Sequence, residues 1–162
     1  MPYIDSVNLH VNIDAVYIIQ SKKLIMPKLA LITITLSAFV LAVLIPYLEI
    51  SDTHLTNPDW PSHARLHDAW QLLTNGTLSI LALVLVWNGS APRLGIAIAM
   101  IISISFLISL TLGPLYGGSM LNSDGTEMAV AGINVAVVLV AILTVLLALS
   151  YRAVSAHTRN LR

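Results

Sequence analysis

Leu29-Ala30-Leu31-Ile32-Thr33-Ile34-Thr35-Leu36-Ser37-Ala38-Phe39-Val40-Leu41-Ala42-Val43-Leu44-Ile45-Pro46-Tyr47-Leu48 runs from Lys28 to Glu49 without a charge. An α-helix rises about 1.5 Å per residue, so about 20 apolar residues cross the roughly 30 Å hydrocarbon core of a bilayer. Three further apolar runs have the same scale, and together the four occupy about 28–47, 69–88, 93–115 and 128–151. Alternation with a period of two is absent, which argues against a membrane β-barrel. Lipid offers no partner for backbone N–H and C=O groups, so each run must form a helix. The expected fold is therefore all-α, an integral membrane four-helix bundle whose sequence neighbours pack antiparallel across short loops.

Composition agrees. Of 162 residues, 57% are hydrophobic and 10% are charged, where a soluble domain carries about 25% charged residues. A small soluble fold could not hide that much apolar surface. The formal net charge is zero, which gives no electrostatic footprint for a nucleic acid. No cysteine is present, which removes disulfides, thiolate nucleophiles and cysteine-ligated metals together.

Orientation follows from the basic residues. Lys22, Lys23 and Lys28 precede the first run, Arg93 lies between the second and third, and Arg152, Arg159 and Arg162 end or follow the fourth. Four crossings put all of these on one side and Arg65 on the other, together with Glu49, Asp52, Asp59, Asp68, Asp124 and Glu127. The positive-inside rule then predicts cytoplasmic N- and C-termini, in a bacterial inner membrane or its equivalent. Residues 1–25 have a different character, with Asp5, Asn8, His10, Asn12 and Asp14 breaking a mildly apolar stretch. They lack the pattern of a signal peptide, and Met26-Pro27-Lys28 resembles a natural start, so 1–25 read as an N-terminal extension, non-native or disordered, before a four-span domain over 26–162. A short cytoplasmic or interfacial tail is the alternative.

Chemistry concentrates between the first two runs, where three of the five histidines lie: His54, His63 and His67. Asp59 or Ser62 can cap the second helix, and Pro61 suits its first turn. His63 and His67 then stand one turn apart on one face. Gln71, Thr74 and Asn75 continue a polar stripe downward. Polar groups at membrane depth normally face the bundle interior, so the stripe is expected to point inward. The partial positive charge of a helix start favours neutral imidazole, the form a metal ligand or general base needs. A divalent metal could take His54, His63 and His67 with a carboxylate from Glu49, Asp68 or Glu127. The plainer reading is a structural cap in which the histidines bond loop carbonyls and Arg65 pairs with an acid.

Trp60 and Trp70, with Tyr47 and Tyr116, read as an interfacial aromatic belt, Trp70 lying near enough to the histidine face to wall a pocket. Ser103, Ser105, Ser109, Thr111, Gly132, Ala136 and Thr144 read as packing devices between helices. Asn134 is the exception, expected about two turns below Glu127 and buried on the side of the site.

The run His54-x-x-Asn57-Pro58-x-Trp60-Pro61-x-His63-Ala64-Arg65-x-His67 resembles the H-x-x-N-P-x-W-P-x-H-A-R/K-x-H signature of an uncharacterised family of small four-span membrane proteins. The resemblance covers the signature and the four-span layout from Met26 onward. It implies a shared outer site at His54, Asn57, Trp60, His63, Arg65 and His67, and no particular reaction. A weaker likeness, by analogy only, is to the sterol-isomerase and sigma-two-receptor superfamily, whose paired acids within the bundle are not convincingly matched.

Two functions are compatible with these residues. One is a site that binds or acts on a lipid-soluble small molecule, such as a quinone, sterol-like or isoprenoid compound. His63 or His67 would exchange protons, Arg65 would hold a headgroup, and Gln71, Asn75 and Asn134 would line the pocket. The other is a non-catalytic accessory protein that docks a membrane-protein partner or a second copy of itself. Metal binding is a third reading.

Overall fold

A computed structural model describes residues 26–160; the reading of 1–25 as an extension lies outside the described residues. The chain forms four helices long and apolar enough to cross a membrane. Helix α1 spans Lys28–Glu49, α2 spans Ser62–Trp87, α3 spans Pro92–Leu112 and α4 spans Val135–Arg159. A 3₁₀ turn, Gly113–Leu115, extends α3. A two-stranded hairpin, β1 Ala129–Val130 and β2 Ile133–Asn134, precedes α4. The helices pack as a ring in chain order, with α1 closing against both α2 and α4. This is the expected four-helix bundle.

The first helix is interrupted by its own proline. Pro46 has no N–H to return to the preceding turn, and its ring crowds the carbonyl four residues back. The chain absorbs this as a π turn over Val40–Leu44, in which the Ile45 amide reaches the Val40 carbonyl. Such bulges widen the helix locally and often sit beside binding sites.

Two helices differ in extent from their apolar runs. Helix α2 begins at Ser62, where the sequence placed its cap and first-turn proline, ahead of the apolar run that starts near 69. Its 26 residues measure about 39 Å, longer than a roughly 30 Å apolar core requires. Helix α4 begins at Val135 rather than 128 and continues to Arg159 rather than 151. Ala131 and Gly132 have φ of 53° and 76°, the left-handed pair that closes a two-residue hairpin. Asn134 then caps α4, its Oδ1 accepting from the Val137 amide at 3.1 Å. At the far end, His157 and Arg159 occupy the last turn of α4, where cations favourably meet the helix dipole.

Burial divides the bundle lengthwise. One end carries Lys28, Arg93, Arg152 and Arg159, and is called the basic end; the other carries the histidine loop. Met26, Ala30, Ile34, Ala82, Val86, Ile96, Ala99, Leu147 and Val154 form one buried cluster toward the basic end. Gly95 makes the closest approach there: a Cβ on it would lie 2.7 Å from the Ala82 carbonyl oxygen and 2.9 Å from Val86 Cγ2. Toward the histidine end the helices present no buried residue beyond Leu41 on α1, before Ser79 on α2, beyond Ser103 on α3 or before Val140 on α4.

Candidate functional site

The loop from Ile50 to Pro61 is folded on itself rather than extended. The Leu55 amide bonds the Glu49 carbonyl, and the Thr56 amide bonds the Ser51 carbonyl, each within about 3 Å. Asn57 anchors it and is only 4% exposed. Its Oδ1 accepts from the Asp59 amide at 2.9 Å, a side-chain turn that leads the chain through Pro58. Its Nδ2 donates to Ser123 Oγ at 2.8 Å, and Ser123 Oγ donates to the Thr53 carbonyl at 3.2 Å. Asn57 therefore ties the first histidine-end loop to the second. Neither Asp59 nor Ser62 caps α2 by its side chain.

This fold brings His54 back over the end of α1. Its Nε2 lies 3.6 Å from Glu49 Oε2, and its Nδ1 lies 2.9 Å from Thr53 Oγ1. Donation by Thr53 to Nδ1 leaves the ring proton on Nε2, the nitrogen that faces Glu49. Trp60 sets its ring edge-on to the imidazole at 5.8 Å between centroids. Asp68, from the second turn of α2, lies within charge–charge reach of both His54 and Glu49. Its Oδ2 is shielded from solvent and has no hydrogen-bond partner among the described residues. An acceptor left in that state calls for a donor from elsewhere.

Between α1 and α2 is an apolar groove of about 460 Å³, lined among others by Ala42, Pro46, Leu55, Ala69, Leu72 and Gly76. The register is set by small residues, since a Cβ on Gly76 would meet Ala42 Cα at 3.8 Å. Pro46 stands one turn from Glu49, and Leu72 one turn from Asp68, so each acid is a helix turn away from a residue that lines the groove.

The histidines of α2 face elsewhere. His63 and His67 are both exposed, and their Nε2 atoms meet at 3.0 Å. Trp70, exposed beside them, has its ring centroid 5.9 Å from that of His67. Gln71 and Thr74 are exposed too. The stripe thus points out of the bundle, contrary to the inward direction expected of it. Its opposite face, through Asp68, Leu72, Gly76, Ser79, Ala82 and Val86, carries the small side chains that let α1 and α3 approach, and bulky imidazoles would hold those helices apart.

The expected shared site is accordingly divided. His54 pairs with Glu49, with Asp68 within electrostatic range, and His63 pairs with His67. Glu127 stands apart from both, accepting from Asn134 Nδ2 at 3.0 Å. Asn134 is the cap of α4 and not a residue buried two turns inside it. Among the described residues, no three His, Cys, Asp or Glu side chains are grouped to hold a metal ion. Arg65 is half-buried and makes no ion pair among the described residues. Gln71 and Asn75 do not line the groove. The groove itself was not apparent in the sequence, although Pro46 inside an apolar run and Gly76 inside a helix are the two residues that mark it. Comparison with protein-family models, curated proteins and solved structures gives no match to this chain.

Proposed function

We propose that the protein is a multi-pass membrane protein that binds a lipid-soluble small molecule in the groove between α1 and α2. The apolar part of the ligand lies against Pro46, Leu72 and Gly76, and its polar group meets Glu49, His54 and Asp68. The observation that carries this reading is the apolar cavity of about 460 Å³ between α1 and α2, with Glu49 and Asp68 each one helix turn from residues that line it. A cavity of a few hundred cubic ångströms with few convergent polar groups is the usual form of a ligand site. A hydroxyl or hydroquinone donates to Asp68, and a quinone or keto oxygen accepts from His54 Nε2. The imidazole paired with the Glu49 carboxylate suits proton exchange with such a head group. His54 takes the role that the sequence alone suggested for His63 or His67, and the shared outer site implied by the family signature contracts to His54, Asn57 and Trp60.

In this reading the basic end faces the cytoplasm, as the distribution of lysine and arginine favours, and the ligand enters from the opposite leaflet. Lipid extraction of the purified protein with mass spectrometry should yield a retained isoprenoid, quinone or sterol-like compound. Ala69→Phe, which fills the groove mouth, should abolish retention without lowering thermal stability. The reading fails if wild type retains nothing and ubiquinone, farnesol and cholesterol all leave Trp60 fluorescence unchanged. A second reading, an accessory protein whose exposed α2 stripe docks another membrane helix, is favoured by Gln71 and Thr74 facing outward at membrane depth.

A further inference from the structure

We infer that His63 and His67 form an open two-histidine chelate for a divalent transition-metal ion, on the outer face of α2 and separate from the groove. The two ring nitrogens are hydrogen-bonded to each other at a separation that a chelate requires. The two Nε2 atoms lie 3.0 Å apart, with ring planes at 75° and centroids 4.5 Å apart. A metal about 2.0–2.1 Å from each nitrogen requires an N···N separation of about 2.9 Å for adjacent square-planar positions and about 3.3 Å for tetrahedral ones. The observed separation falls between these values, so loading requires only that both ring protons sit on Nδ1. The four-residue spacing on one helix turn holds the pair without help from the loop. Both side chains are exposed, leaving the other coordination positions to water.

The separation admits either arrangement, and Cu²⁺ binds nitrogen sites most strongly in the divalent series. With no third protein ligand grouped nearby, the ion is exchangeable rather than a permanent structural part. Trp70 beside His67 supplies a reporter.

The test is titration of untagged, detergent-purified full-length protein bearing Trp60→Phe and Trp87→Phe with CuSO₄. Quenching of Trp70 should saturate, and electron paramagnetic resonance should show nitrogen ligation. His63→Ala, a change at an exposed position, should weaken half-saturation at least tenfold, while His54→Ala should leave it unchanged. Equal quenching with and without His63 would overturn the chelate, as would loss of binding on His54→Ala alone. Because Ala69→Phe leaves this face untouched, metal binding should survive in the variant that empties the groove.

Discussion

At the basic end, Ala30, Ala82, Val86, Ile96, Leu147 and Val154 are almost wholly withdrawn from the surface. Toward the histidine end the helices carry no buried residue beyond Leu41 on α1, before Ser79 on α2, beyond Ser103 on α3 or before Val140 on α4. The difference lies in the size of the residues where helices meet. Gly95 admits the backbone of α2 to α3 so closely that no side chain fits between them. Gly76 faces α1 across an ordinary van der Waals gap, and beyond it the π turn and Pro46 carry α1 into a wider path. One end therefore fixes how the helices are arranged, and the other has room to hold something. Closed packing defines a unique bundle; an open, apolar end with a few polar groups at its mouth is where a ligand gains most by filling space.

The sharpest way to break this contrast is to add one methyl group at each glycine. Gly95→Ala should destabilise the protein by about 1–3 kcal/mol, because its Cβ collides with backbone that cannot yield. Gly76→Ala should be neutral or stabilise by up to about 1 kcal/mol, since helix propensity improves and the contact is ordinary. Thermal or denaturant unfolding in a single detergent measures both. Equal losses at the two positions would mean that the ends are packed alike.

A smaller effect is expected at the loop that roofs the open end. Asn57→Ala removes the ties to Ser123 and to the Asp59 amide. It should cost about 1–2 kcal/mol through the groups it leaves unpaired. Faster hydrogen exchange should be confined to residues near 51–60 and 122–126, with the basic end unchanged. Exchange that rises uniformly would show that the two ends unfold as one.

The smallest effect concerns Asp124, at the tip of the second histidine-end loop. The Thr126 hydroxyl and amide both donate to its Oδ1, at 2.6 and 2.9 Å, and hold its carboxyl below the ordinary value of 3.8. A depressed carboxyl contributes stability above its unfolded value, and that contribution fades as pH falls through the lower folded value. Asp124→Asn should therefore lower stability slightly at neutral pH, where the contribution is complete, and have progressively less effect below about pH 4. A loss of the same size at pH 7 and pH 2 would show that the charge of Asp124 is not its source.

The number of spans was legible because each apolar run is long and uncharged, and lipid leaves the backbone one solution. The boundaries of α2 and α4 were less so. Hydropathy marks where the lipid core ends, not where a helix ends, and α2 continues through polar residues beyond it. The hairpin before α4 was hidden because Ala131-Gly132 is a weak turn signal, and the left-handed φ of Ala131 is one that few non-glycine residues adopt. The importance of the histidine loop was readable from its composition, but the pairing within it was not. His54 and Asp68 are fourteen positions apart by number, and only the loop anchored through Asn57 brings one over the other.

By itself the sequence determined a helical membrane bundle, the concentration of polar chemistry on one side, and the one-turn spacing of His63 and His67. These depend on local periodicity and on the solvent around the chain. The tertiary structure decided which face of α2 turns inward. That choice belongs to the partners as much as to α2: Ala42 on α1 and Gly95 on α3 accept its small residues and leave no room for its imidazoles. Turning the small face inward places Asp68 within electrostatic range of His54 and Glu49, opens the groove between α1 and α2, and leaves His63 and His67 facing each other on the outside.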